Sequence, residues 1–209
     1  MNPDQYRPST IKAIIFDFGN VLLEWDPRHI YRRYFDDEES MERFLHEVNF
    51  MEWNAQQDQG RAFAEGVADL SRQFPHYSEL IQAYHDHWKD SLGEYFKDTV
   101  DIMRRLKKAG YPLYGLSNWS AETFPYVRQK YDFLHLLDDY VISGEVGHVK
   151  PKPEIFHILL GRIGRPAQEC LFIDDSKRNI EQAQKLGFVT VLFESAEQLE
   201  RELQALHLL

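Results

Sequence analysis

Five short apolar runs punctuate the chain, at residues 11–16, 111–116, 140–142, 171–173 and 189–193, and each gives way to polar residues or glycine. Their length and their β-branched and aromatic content fit parallel strands buried on both faces better than helices. Between the later runs the apolar positions recur three and four residues apart, which predicts helices over 95–110, 153–163, 179–186 and 196–208. The first has lysines in its last turn and Gly110 where a helix would end, and Gly187 closes the third. Strands alternating with helices predict an α/β fold built on a doubly wound parallel sheet.

Residues 26–92 break the alternation, with many aromatics and charges but no strand-like run. Apolar positions three or four apart over 27–35, 38–48, 62–74 and 78–91 predict four helices, with Asp36, Asp37 and Ser78 as candidate caps. The polar stretch 52–61, with its single Trp53, reads as a turn between two of them, either facing a ligand or simply solvated. The expected organisation is therefore an α/β core of 1–24 and 93–209 carrying an inserted all-helical lid over 25–92. No repeat or low-complexity tract complicates it.

Composition narrows the classes. At 209 residues and 43% hydrophobic, the chain can bury a sizeable core. Its 24 basic and 34 acidic residues give a net charge of -10 without any basic run, which argues against nucleic acid as a partner. A local cation and one lysine can still make a cleft attractive to phosphate. Cys170 is the only cysteine, and its apolar neighbours predict a buried small hydrophobe, with no intrachain disulfide possible. Residues 1–10 lack an apolar core of signal-peptide length, and no segment approaches a membrane span, so the expectation is a cytoplasmic chain without a membrane partner.

The predicted strand ends carry the chemistry. The first run ends in Asp17, at the edge where open α/β sheets bind ligands. Alone, such an aspartate equally well caps the following turn. The second run leads into Ser117-Asn118, the stretch after the third into Lys150-Pro151, and the fourth into Asp174-Asp175, with Asn179 one helical turn on. A nucleophilic carboxylate, a hydroxyl, an amine and a carboxylate pair at one sheet edge suit phosphoryl transfer. Oxygen ligands point to a hard cation, with magnesium the natural choice.

In order and spacing these four stretches resemble the sequence motifs of the haloacid dehalogenase-like (HAD) superfamily, and the resemblance spans the chain. It implies a Rossmann-like core with a cap, and a magnesium-dependent phosphatase that forms an aspartyl-phosphate on Asp17. The same resemblance implies that Ser117 and the Asn118 backbone N–H hold phosphate oxygens. Lys150 would steady nucleophile and phosphate, and Asp17, the Gly19 carbonyl, Asp174 and Asp175 would bind Mg2+. Lys152 competes with Lys150 for the third motif; the family pattern, with its lysine before the proline leading into Glu154-Ile155-Phe156, favours Lys150.

One departure stands out. Most phosphatases of the family carry a second aspartate two residues after the nucleophile as general acid and base, a contribution of about 10²- to 10⁴-fold. Here that position is Gly19. A phosphatase remains the leading expectation, acting on a small phosphate ester with a good leaving group, or drawing its proton from water or the lid. Family phosphatases with a similar Asp-x-Gly-Asn-Val first motif act on sugar phosphates. A 2-haloacid dehalogenase and a catalytically weak binding protein on the same fold are the alternatives.

Other residues invite readings of their own. Trp25, Asp26 and Arg28 are placed to form a hinge or cleft wall, and Arg28 either meets an anionic substrate or is an ordinary surface arginine. His85-Asp86-His87 has metal-ligand residue types, but positions two apart on a helix face different ways, so a polar helix surface is expected. Loop residue His148 either borders the cleft or is simply exposed. Trp119 is a candidate substrate wall, while Tyr31, Tyr34 and Phe35 suit lid packing.

Overall fold

The computed structural model describes residues 10–209. The reading of the N-terminus as leaderless, and the first nine residues of the expected core, lie outside the described residues.

Strand β1 (Ala13–Phe16) is buried at every position, and it is followed by a short strand β2 (Leu23–Trp25). Five helices come next: α1 (Arg28–Tyr31), α2 (Glu38–Glu47), α3 (Phe50–Asp58), α4 (Phe63–Gln73) and α5 (Ser78–Asp86). Strand β3 (Leu92–Tyr95) returns antiparallel to β2, so a two-stranded ribbon forms the root of the helical insertion. The chain continues through α6 (Lys97–Lys108), β4 (Leu113–Ser117), α7 (Phe124–Lys130), β5 (Asp139–Ile142), α8 (Ser143–Val146) and α9 (Pro153–Ile163). It ends with β6 (Cys170–Asp174), α10 (Lys177–Lys185), β7 (Val189–Leu192) and α11 (Ala196–Ala205).

Five strands form one parallel sheet in the order β5-β4-β1-β6-β7. Because β1 is central, with β4 on one side and β6 on the other, the strand order reverses beside it, and the crevice at their carboxyl ends is the ligand position of such sheets. Alternate β1 residues face opposite layers: Ile14 and Phe16 belong to one apolar cluster, Ala13 and Ile15 to the other. Among the described residues no helix is long and apolar enough to cross a membrane.

The α/β expectation holds, and four local readings need correction. Residues 52–61 form most of a helix, α3, rather than a turn. Polar Asn54 and Gln57 lie on its buried side, so the apolar pattern that marks a helix is missing from it. The ribbon strands β2 and β3 went unread because each is short and finds its partner far along the chain. At residues 27–35 only one helical turn forms, and Ser78 is the first residue of α5 rather than its cap. Asp37 does cap α2, accepting the Ser40 N–H at 2.7 Å.

The helical layer packs through aromatic rings. Tyr31 meets Phe44 and Phe50 edge-on at 5.0 and 5.9 Å, and Phe50 meets Tyr84 at 4.8 Å. Polar contacts also tie the layer to the sheet domain. The first N–H of α4, from Phe63, donates to the Glu122 carboxylate at 2.9 Å, so a core side chain satisfies an orphan helix donor and complements the helix dipole. The Ser143 hydroxyl donates to the Asp58 carbonyl at the end of α3.

The loop after β1 is anchored from below. Phe18 stacks on Phe124 with centroids 5.8 Å apart and rings 12° from parallel, and its ring edge lies over Gly115 of β4. A Cβ at Gly115 would collide with that ring and lie 3.0 Å from Tyr140 Cβ. Gly115→Ala should therefore cost about 1–3 kcal/mol, the usual penalty for overpacking a core. Urea denaturation checks it, and an unchanged midpoint would show that the ring can move aside.

Candidate active site

Asp17 follows β1 directly, and its backbone N–H donates to the Ile173 carbonyl of β6 at 2.9 Å, which fixes the loop between the two strand ends. Its carboxylate is fully engaged: Oδ1 accepts from the Phe18 N–H and the Ser117 hydroxyl, each at 2.7 Å, and Oδ2 pairs with Lys150 at 2.8 Å. Ser117 ends β4 and is buried.

Lys150 enters from the loop between α8 and α9. Its ammonium donates to the Leu116 carbonyl at 2.8 Å and to Asp174 Oδ2 at 2.7 Å, besides its pairing with Asp17, so all three donors are used. The loop is held in register by Asn118, whose side chain accepts the Lys150 N–H at 2.8 Å and donates to the Lys150 carbonyl at 3.0 Å. Lys152 is exposed, so the structure brings Lys150 and not Lys152 to the site.

Asp174 ends β6 and is completely buried. Besides Lys150 it accepts the Ser176 N–H at 2.8 Å and the Asn179 amide at 2.9 and 3.1 Å. Asp175, the next residue, is exposed. Carboxylate oxygens of Asp17, Asp174 and Asp175 lie within 4.8 Å of one another.

The electrostatics follow from three carboxylates around one ammonium. Burial alone would lower the Lys150 pKa, but Asp17 and Asp174 outweigh it and hold the amine protonated above its ordinary range. Burial pushes the Asp17 carboxyl upward against the pull of Lys150, and Asp174 adds to the rise. Asp175, though its side chain reaches solvent, is raised as well, by partial desolvation beside the cluster and then by Asp174. The cluster carries more negative charge than its own residues neutralise, and its donors are hard oxygens, so these residues fit a divalent magnesium ion.

Gly19 stands two residues beyond Asp17. Its φ lies outside the left-handed region, and a Cβ there would meet only Trp119 Cζ3 at 3.9 Å, so neither backbone nor space demands glycine. Beside it opens a cavity of about 100 Å³ that Gly19, Asn118, Trp119 and Thr123 line from below, and Trp25, Asn54, Asp58, Tyr84 and Trp88 from above. Trp119 is thus a wall of this cavity. Trp88 packs edge-on against it, at 6.1 Å.

Sequence reasoning passed over Asp58, the last residue of α3. Its Oδ2 accepts from the Asn54 amide at 3.1 Å, and burial pushes its carboxyl up to about 7, eased slightly by the Ser120 backbone N–H. The available signal was an acid within a polar stretch, and only the helix shows which way it faces. Arg28 is not free for an anionic substrate: it is paired with Glu42 and with Asp26. His85 stacks on Phe63 at 5.5 Å, in keeping with a helix-surface role, and His148 is half-buried in its loop.

A family model described as haloacid dehalogenase-like hydrolase matches residues 11–187. Drimenol cyclase drtB of Aspergillus calidoustus is 26% identical over 200 residues, which cover 92% of this chain and 36% of that protein, so the chain spans about a third of its length. D-ribitol-5-phosphate phosphatase of Bacteroides thetaiotaomicron is 26% identical over 205 residues, covering 92% of this chain and 97% of that one. A HAD family enzyme from Bacteroides thetaiotaomicron, solved in complex with magnesium and inorganic phosphate, superposes with a TM-score of 0.66 at 26% identity, covering 88% of this chain and 95% of the other.

The raised Asp58 carboxyl has a consequence for stability. With its folded pKa near 7 and an unfolded value in the ordinary range, the unfolded chain binds fewer protons between the two, so stability falls as pH rises through that window. Asp58→Asn keeps the acceptor for Asn54 and removes the titration. In metal-free buffer its melting temperature, relative to wild type, should be higher at pH 8 than at pH 5 by roughly 4 °C, the shift that about 1–2 kcal/mol produces in a chain of this size. Thermal melts at the two pH values check this; a pH-independent difference would mean that Asp58 titrates normally.

Proposed function

The chain belongs to the haloacid dehalogenase-like hydrolase family, and from that membership and the geometry above we propose that it is a magnesium-dependent phosphatase acting on a small phosphorylated metabolite, such as a sugar phosphate. The observation that carries the reading is the buried arrangement of Asp17 and Asp174 on one lysine, with Asp175 beside them and Ser117 against Asp17. In it a nucleophile, phosphate donors and an acidic surplus meet at the carboxyl edge of one sheet.

In this reading Asp17 attacks phosphorus and carries the phosphoryl group as an aspartyl-phosphate until water releases it. Lys150 orients the attacking carboxylate and, with the Ser117 hydroxyl and the Asn118 backbone N–H, meets the charge that develops on the phosphate oxygens. Asp17, Asp174, Asp175 and the Gly19 carbonyl would hold magnesium, which when bound supplies positive charge for the phosphate oxygens and offsets the acidic surplus. Asn179 and the Ser176 N–H fix the Asp174 carboxylate while it shares Lys150 with Asp17. In this reading residues 25–92 act as the cap over an α/β core whose described part is residues 10–24 and 93–209, and they would screen the site from bulk water. Similarity to a protein named D-ribitol-5-phosphate phosphatase supports a small polyol or sugar ester as the substrate class.

The test is a panel of phosphorylated sugars and polyols together with 2-chloropropionate, each with and without magnesium, assayed for released phosphate and chloride. Phosphate release should require magnesium and fall at least ~10³-fold in Asp17→Asn, as expected when a nucleophile is removed. Chloride release that needs no metal would replace the phosphatase with a dehalogenase, and silence on every compound would leave a binding protein.

A further inference from the structure

Residue 19 has no side chain with which to protonate a leaving group, yet the cavity beside it contains one acid. Asp58, at the end of α3, lines that cavity together with Gly19 and Asn118. Tyr84 and Trp88 complete the wall around it. We propose that Asp58, delivered by the helical layer and not by the nucleophile loop, is the general acid and base of this site. The assignment rests on the phosphatase reading above and names the residue that completes it.

Two features of the structure place Asp58 for this role. The end of α3 is clamped to the loop that follows Ser117 and Asn118. The Ser143 hydroxyl donates to the Asp58 carbonyl and accepts the Trp119 N–H at 2.9 Å, so one hydroxyl joins helix and loop. The side chain is also oriented: Asn54 donates to Asp58 Oδ2 at 3.1 Å, and the Tyr84 hydroxyl donates to Asn54 Oδ1 at 3.1 Å. Among the described residues no lysine or arginine forms an ion pair with Asp58, whereas Asp17 and Asp174 share Lys150. Nothing cationic therefore holds it ionised, and burial leaves its carboxyl titrating near neutrality, where an acid that must also serve as a base works best. The space an aspartate side chain would occupy at position 19 is open on the same cavity, bounded by Trp119.

The chemistry balances on the residues named. As an Asp17 oxygen bonds to phosphorus and the ester P–O bond breaks, the departing oxygen takes the proton of Asp58 and leaves as the alcohol. Asp58, now a carboxylate, then takes a proton from water while the water oxygen bonds to phosphorus and the Asp17–phosphorus bond breaks. Inorganic phosphate is released, and both side chains return to their starting states.

Asp58→Asn separates the two half-reactions on 4-nitrophenyl phosphate with saturating magnesium, because nitrophenolate leaves without a proton. The variant should release one equivalent of nitrophenolate in a burst and then turn over ~10²-fold or more slower than wild type. Acid-quenched protein should carry the mass of one phosphoryl group, located on Asp17. On a sugar phosphate with a primary alcohol leaving group the burst should be absent and turnover lower still. Adding Gly19→Asp should restore at least ~10-fold of the lost rate, since it returns a proton donor to the same cavity. Wild-type turnover in Asp58→Asn would overturn the assignment, as would an equal loss on both esters with no burst, no trapped phosphoryl group and no rescue by Gly19→Asp. Wild-type protein that releases phosphate from neither ester would defeat the phosphatase reading itself, and this assignment with it.

Discussion

One buried ammonium organises the carboxyl edge of the sheet. Lys150 reaches the ends of three neighbouring strands at once: the Leu116 carbonyl of β4, Asp17 after β1 and Asp174 at the end of β6. Each partner has been taken out of water, and a buried carboxylate without a counter-charge would cost several kcal/mol. The arrangement holds only if the three strands keep register, which is why the strand pairing extends to the last residues before the site. Asn118 adds the fourth constraint by accepting the Lys150 N–H and donating to the Lys150 carbonyl. Three carboxylates against a single lysine still leave the cluster negative, and that imbalance is the physical reason to expect a cation there.

Much of this frame was legible along the chain because it is local. Runs such as 171–173 are apolar on both faces and end abruptly in acid, and the helix over Pro153–Ile163 announces itself with proline at its start and Gly164 beyond its end. Features that depend on distant partners were invisible. Leu23–Trp25 is a strand only because Leu92–Tyr95 returns beside it. The helix Phe50–Asp58 buries Asn54 and Gln57 as well as Phe50 and Trp53, so its sequence carries no clean apolar face. Along the sequence Arg28 reads either as an anion contact or as an ordinary surface arginine, and only its pairing with Glu42, fourteen residues on, decides between them.

The same distinction separates the two halves of the site. Asp17, Ser117, Lys150 and Asp174 come from strand ends or the loop beside them, and their positions follow from the order of motifs in a parallel sheet. Asp58 comes from a helix whose orientation is set by rings packing in the helical layer, by Glu122 on the first N–H of α4 and by the Ser143 hydroxyl. None of those contacts is written in a local pattern. A reader of the sequence can therefore find Asp17 and miss Asp58, although Asp58 lines the cavity beside Gly19, two residues after Asp17.

Glycine at position 19 acquires meaning in that setting. Space exists there for a larger residue, and no left-handed backbone requires glycine, so its presence leaves a gap between Trp119 and the helical layer that an acid from above can face. An acid carried on the nucleophile loop would be in place whether or not the helices were seated. An acid carried at the end of α3 is in place only when Ser143 holds that helix against Trp119. With Asp58 in the role proposed, seating the helices over a substrate and supplying the proton would be one event, which would couple leaving-group protonation to the closing of the aromatic walls.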